Sequence, residues 1–350
     1  MIKKRIFSVL FLLLVSSCLW ADGYKVLFIG NSYTDVNNLP QLIASIAAAE
    51  GDTLVFSANL PGGSTFSDHL NPNNSITPSL IQQGGWDYVV LQGQSQEPSF
   101  PDGQFYSETY PYAQQLCEMV NQYNPDAKVV FYMTWGRKNG DQNNCPYFPP
   151  LCTYEGMDSL LYLRYMTMAA DFDAEVSPVG ALWHYLRDHN PEIELYASDG
   201  SHPSLAGSYA AACSFYSVLF RKDPRTLSFN PGIEEEQAES IRTAASKVVY
   251  DSLAKWFVVP PDSPGEGISS FKENNTVIYP NPTAEYLDIQ CDNYISDIKI
   301  FAEDGRLVWS KTNVNTLKER IYLSAFSAGL YFIQIVDNEG NIAKKKVIKM

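Results

Sequence analysis

Between residue 24 and about residue 256 the chain alternates two hydrophobic patterns. Short, near-continuous apolar runs ("YKVLFIG", "TLVFSANL", "WDYVVLQ", "AKVVFYMTW") read as strands buried on both faces. Between them lie stretches of helical character: "LPQLIASIAAAE", Ile76 to Gln83, and Tyr112 to Tyr123. Strands of this kind, separated by amphipathic segments, predict a parallel sheet with helices on both faces, a three-layer α/β domain. Functional loops in such sheets leave the carboxyl ends of the strands. Ser32 follows the first strand, Gly63 the second, and Gln92 to Gln96 the third, so all three ends carry the small or polar residues of a shared site.

From Val258 the pattern changes. Residues 258–275 are rich in Pro, Gly and Ser and read as a linker. Residues 276–350 then alternate apolar and polar positions over short runs, with Asp304-Gly305 and Glu339-Gly340 as hairpin turns. They predict a small all-β sandwich without a convergent polar cluster. At the other end, "MIKKRIFSVLFLLLVSSCLWA" has a basic start, an apolar stretch and small residues, the order of a secretory signal. Two processing routes are open: cleavage after Ala21, or lipid modification of Cys18 within "LVSSC". The first starts the mature protein at residue 22 and the second at Cys18; both place it outside the cytoplasm.

Charge and cysteines narrow the partners. A formal net charge of −14 argues against nucleic acid or an anionic membrane surface and leaves a neutral carbohydrate or a small ester open. Cys145 and Cys152 bracket the Pro-rich "PYFPPL" and are either a short disulfide or two free loop thiols. No cysteine pair has metal-site spacing and the four histidines are scattered, so neither a metal nor an organic cofactor is expected.

The chemistry is concentrated in "YASDGSHPSLAG", where Asp199 and His202 lie three residues apart on one loop before a helix starting near Pro203 or Ser204. A serine becomes a nucleophile at neutral pH only beside a base, and the base needs an acceptor that fixes its tautomer. Asp-x-x-His delivers both from one loop if a serine approaches from another strand end. Alone, the pair reads equally as a helix cap beside a surface histidine.

"FIGNSYT", "GGSTF", "LQGQSQ" and "DGSHP" follow the order and approximate positions of the blocks of the SGNH/GDSL hydrolases, which this chain resembles over about residues 24 to 256, within a domain expected at 22–257. The resemblance implies a flavodoxin-like α/β/α sheet and a serine esterase working through an acyl-enzyme. Carried over, Ser32 is the nucleophile, His202 the general acid/base and Asp199 its orienting partner. The backbone N–H groups of Ser32 and Gly63 (Gly62 in reserve) are implied oxyanion donors. Two positions depart from the family. Asn31 stands where an aspartate is usual, beside the nucleophile, and is taken as a substrate contact. The block usually written Gly-x-Asn-Asp reads "GQSQ". Its similarity to the Gln-Gly-Glu-Ser-Asn stretch of sialate O-acetylesterase-like members puts Gln96 in the oxyanion position, with Gln94 as the alternative.

Trp135 and Arg137, after the fourth strand, offer a sugar platform and a carboxylate or hydroxyl contact. His69 is expected at the surface, and His184 and His189 in structural or solvent-facing positions. The tail resembles a second family. "YPNP", "DGRLV", "AGLYFIQI" and "KKKVIKM" follow the order of the type IX secretion sorting domain of Bacteroidetes. That resemblance implies engagement of the type IX machinery, passage across the outer membrane, and release or surface attachment. It favours ordinary signal cleavage. The resulting expectation is an exported esterase acting on an O-acylated carbohydrate, O-acetyl groups first. The rivals are a lipase- or thioesterase-like enzyme for longer acyl chains and a catalytically weak glycan binder.

Overall fold

Parallel strands need crossovers, and this chain supplies a helical one after each of its first four. The computed structural model describes residues 23–73, 75–259, 276–302, 307–338 and 342–349. The leader, most of the linker, and the expected turns at Asp304-Gly305 and Glu339-Gly340 lie outside the described residues. The first domain runs β1 (Gly23–Ile29), α1 (Ser32–Asp35), α2 (Leu39–Ala49), β2 (Thr53–Asn59), α3 (Phe66–His69), α4 (Ile76–Gln83), β3 (Tyr88–Leu91), α5 (Asp102–Gln104) and α6 (Tyr110–Tyr123). It continues with β4 (Lys128–Tyr132), α7 (Tyr154–Asp171), β5 (Glu175–Ser177), α8 (Val179–His189), α9 (Leu205–Phe220) and α10 (Glu235–Val248).

The five strands form one parallel sheet in the order β2-β1-β3-β4-β5. The expected three-layer α/β fold with a parallel sheet is therefore present. Val26 to Ile29, Val89 to Leu91 and Val130 to Tyr132 are at most 1% exposed, because helices cover both faces. Contacts among α2, α8, α9 and α10 form one helical layer, and those linking α4 to α6 and α6 to α7 form the other. The chain turns one way from β1 to β2 and the other way to β3. The carboxyl end of β1 thus lies at the switch point where α/β sheets open a crevice. The fifth strand escaped the sequence reading because three residues carry no usable period.

Helix α9 follows the Asp199–His202 loop and is buried on every side from Ala206 to Phe220. Its entry requires a glycine by close approach: a Cβ on Gly207 would lie 2.2 Å from the Leu195 carbonyl oxygen and 2.5 Å from the Trp183 ring.

The tail forms β6 (Val277–Tyr279), β7 (Tyr286–Ala302), β8 (Leu307–Tyr322), β9 (Gly329–Asp337) and β10 (Ile342–Lys349), all antiparallel, around a core of its own. Two strands are long where short ones were expected. Strand β7 pairs with β6 over Asp288 to Gln290 and with β9 from Ile295 onward, with register shifts between. Those irregularities let one strand serve two neighbours in succession.

The Gly207 contact generates a prediction. Gly207→Ala should destabilise the protein by about 1–3 kcal/mol through overpacking, read as a lowered denaturation midpoint. An unchanged midpoint would show that α9 can shift without cost.

Candidate active site

The ladder of β1 ends at Ile29, and the turn that follows must find other partners for its backbone. Gly30 N–H donates to Asn59 O at 3.2 Å. Asn31 caps α1: its Oδ1 accepts from Tyr33 N–H at 3.1 Å, and its carbonyl accepts from Thr34 and Asp35. Gln92, 0% exposed, locks the turn from β3. Its Oε1 accepts from Asn31 N–H at 3.0 Å and from Thr34 Oγ1 at 2.9 Å, and its Nε2 donates to Asn31 Oδ1 at 2.9 Å and to the Gly93 carbonyl. Beneath the turn, His69 Nε2–H donates to Gly30 O at 2.9 Å while its Nδ1 accepts from Thr77 Oγ1, also at 2.9 Å. A carbonyl can only accept, which fixes this tautomer.

That frame half-exposes Ser32 at the first position of α1, where no turn of helix precedes its N–H. Ser32 Oγ lies 2.9 Å from His202 Nε2, and His202 Nδ1 lies 2.5 Å from Asp199 Oδ2. Asp199 Oδ1 accepts the backbone N–H groups of Ser201 and His202 at 2.9 and 3.0 Å. Burial pushes the Asp199 carboxyl up, but the His202 side chain and these two N–H groups outweigh it and hold it below the usual carboxylate range. The His202 and Asp199 side chains remain 36% and 48% exposed, so the chain of hydrogen bonds opens to solvent. An O–H···N, N–H···O⁻ series of this kind can withdraw a proton from a serine and stabilise the resulting imidazolium.

The remaining expected site residues divide. Gly63 is exposed in a left-handed turn at φ +74°, and no hydrogen bond among the described residues occupies its N–H. Asn31 Nδ2 ties the next residue to the serine turn by donating to Ser64 O at 3.0 Å. Gln94 and Gln96 are half-buried and bonded to each other. Gln94 Oε1 accepts from Gln96 N–H at 2.7 Å, and Gln94 Nε2 donates to Gln96 Oε1 at 3.1 Å. Gln96 Nε2 also donates to Asp141 Oδ2 at 2.6 Å.

Three expectations need correction. Asn31 is not a substrate contact: it is 2% exposed and its amide is consumed by the cap, Gln92 and Ser64. Trp135 is not a sugar platform: it is 0% exposed, stacked between Tyr33 (4.7 Å) and Trp183 (3.8 Å), with its indole N–H on Ser201 O at 3.0 Å. His69 is not at the surface but fully buried. The serine loop and the histidine loop meet over this stack, where the Tyr33 phenol lies 2.6 Å from Ser201 Oγ. Burial raises the Tyr33 phenol above its ordinary value and keeps it neutral. His184 pairs with Asp158 at 2.8 Å, and Cys145 and Cys152 are bridged.

Sequence reasoning missed Gln92 as an anchor and missed Glu97 altogether. Burial, with Glu108 and Asp68 nearby, pushes Glu97 up to about 7. The position of Gln92 directly before the glycine of "QGQSQ" is the one signal that pointed to it. Among the described residues no group of three His, Cys, Asp or Glu side chains is placed to hold a metal ion.

Two predictions arise. Burial dominates in lowering the His69 pKa, so the unfolded chain binds this proton more readily than the folded one. The stability His69 contributes is present above about pH 6.5 and lost as pH falls. Melting between pH 7 and pH 5 should therefore fall less steeply in His69→Gln than in wild type; equal slopes would remove His69 from the acid response. Gln92→Leu strands the Asn31 N–H and the Thr34 hydroxyl, and should cost about 2–5 kcal/mol in a denaturant titration. A loss under 1 kcal/mol would mean that water replaces the amide.

Solved structures similar to the chain include a DUF4886 family protein from Bacteroides uniformis, with 19% identity and a TM-score of 0.56 over 65% of this chain and 94% of that one. That likeness shows the fold. A protein from Slackia heliotrinireducens described as a proposed SGNH hydrolase aligns at 27% identity and TM-score 0.47, over 57% of this chain and 100% of that one. An acetyl xylan esterase from Geobacillus stearothermophilus aligns at 17% identity and TM-score 0.40, over 56% and 94%. No curated protein sequence matches the chain. The family model for the secretion system C-terminal sorting domain matches residues 277–349. Behind its three-layer α/β fold, the chain carries a tail that matches the sorting-domain family over those residues, and it is exported by type IX secretion to the cell surface or beyond.

Proposed function

We propose that the protein is an exported serine esterase that removes acyl groups, O-acetyl first, from carbohydrates. The observation that carries this reading is the unbroken series from Ser32 Oγ through His202 to Asp199, with links of 2.9 and 2.5 Å, at the switch point of the sheet. As Ser32 Oγ attacks the ester carbonyl carbon, its proton passes to His202 Nε2. Asp199 holds the imidazolium. The negative charge on the carbonyl oxygen meets the N–H groups of Ser32 and Gly63 and the amide of Gln96, with Gln94 in reserve. Collapse breaks the bond to the alcohol oxygen, which takes the proton from His202 and leaves an acyl-serine. Water then attacks the acyl carbon, giving its proton to His202, and Ser32 departs with that proton as the carboxylic acid is released.

Support for the carbohydrate half of the reading is twofold. The site is open and polar, as an ester carried on a bulky hydrophilic chain requires. The similar acetyl xylan esterase suggests the acyl group by analogy only. Ser32→Ala should lower kcat on nitrophenyl acetate at least ~10³-fold while the fold persists. Wild type should also release acetate from acetylated polysaccharide. Retained turnover in Ser32→Ala would remove the serine mechanism, and turnover of the small ester alone would remove the carbohydrate assignment.

A further inference from the structure

Asp141 is a carboxylate with no surface, and the triad does not use it. Its Oδ2 accepts from Gln96 Nε2 and from Asn144 Nδ2, both at 2.6 Å, and its Oδ1 accepts from Asn143 N–H at 3.2 Å and faces Arg137 Nη1 at 3.3 Å. Burial pushes its pKa up, but the Asn144 and Gln96 amides, then Arg137, hold it low, so it is an anion at neutral pH. Such a group is costly to bury unless it is paired and hydrogen-bonded. Here one of its partners, Gln96, belongs to the polar segment Gln94 to Glu97.

A carboxamide is planar, so fixing its two ends fixes its plane. Gln96 Oε1 is held by Gln94 Nε2 at 3.1 Å and one Nε2–H by Asp141. The second Nε2–H then has one direction and, among the described residues, no protein acceptor. The segment lies beside the nucleophile: Arg137 Nη2 reaches Ser95 Oγ at 3.4 Å, and the Tyr33 phenol next to Ser32 interacts with both Ser95 and Arg137. The Arg137 guanidinium offsets the Asp141 charge, so that the anion can hold Gln96 without opposing an oxyanion nearby.

We infer that Asp141 is a positioning residue that presents the free N–H of Gln96 to the reacting carbonyl oxygen, and that the Cys145–Cys152 disulfide holds Asp141 in place to do so. The inference rests on the esterase reading. The clip acts through short links. Asp141 N–H donates to Leu151 O and Cys145 N–H donates to Asp141 O, each at 2.8 Å, and Gln142 Nε2 reaches Cys152 O at 3.2 Å. Both ends of the bridged loop are thereby bonded to, or beside, the residue that aims the amide. Reduction would release that loop while the buried Cys117, Cys213 and Cys291 thiols stay in their cores. Activity becomes tied to the oxidising side of the membrane.

The test is a double-mutant cycle on the full chain with nitrophenyl acetate. Gln96→Ala should lower kcat on the order of 10²-fold, the loss typical of one oxyanion donor. Asp141→Ala should lower kcat about 10-fold or more, with KM moved less than about threefold, because the contact is made to the transition state. In the Gln96→Ala background Asp141→Ala should cost nothing further. A merely structural Asp141 would cost the same in both backgrounds, and that result overturns the inference. Should Asp141→Ala fail to fold, Cys145→Ser with Cys152→Ser, or wild type in reductant, replaces it: kcat should fall in wild type and not in Gln96→Ala. No loss in either background also overturns the inference. Ser32-dependent turnover with an unaffected Gln96→Ala sinks the positioning alone, whereas wild type without Ser32-dependent turnover sinks the esterase reading beneath it.

Discussion

Everything at the candidate site depends on one demand of backbone chemistry: a strand that stops must still satisfy its hydrogen bonds. Where β1 ends, its ladder partners run out, and the sequence substitutes three side chains. Gln92 comes from β3, His69 from α3, and Asn31 from the turn itself. Each is buried, and each makes bonds at both ends of its polar group. Water cannot compete there, so the turn has one conformation and Ser32 one location. The cost of leaving any of these groups unpaired, about 1–3 kcal/mol, is what makes the arrangement specific.

The second half of the site is fixed by a different force. Tyr33, Trp135 and Trp183 stack in series, and Trp183 lies edge-on to Tyr196 at 4.9 Å. This column joins the residue after the serine to the loop that carries Asp199 and His202, whose backbone is pinned by Lys138 N–H to Gly200 O and Ala197 N–H to His202 O. Aromatic packing is insensitive to salt and pH, whereas the ion pairs around it are not. The distance between serine and histidine is thus set by the less variable of the two.

Much of this was legible in the chain. Near-continuous apolar runs declared a parallel sheet, and the polar residues after three of them declared the end at which chemistry gathers. The block order brought Ser32, Asp199 and His202 together before any geometry was seen. What the sequence hid follows from how burial works. A tryptophan in a post-strand loop has the same letter whether it faces sugar or core, and Trp135 faces the core. Asn31 was read by its place beside the nucleophile and His69 by its polarity, but a polar side chain can be buried when its hydrogen bonds are satisfied. Gln92 showed only as part of a polar strand end, because its work depends on partners about sixty positions away. The antiparallel tail was easier to place as a domain than strand by strand, since the register shifts in β7 leave no trace in a period-two pattern.

The exposure of His202 and Asp199 has a topological meaning. A triad roofed by a lid or sunk in a tunnel takes its substrate end first. Here His202 and Asp199 form part of the rim, so on the proposed esterase reading a pendant ester borne midway along a long polymer can settle on Ser32 from the side. On that same reading, such a rim would give attack at scattered interior positions, with no chain end to thread and no processive run.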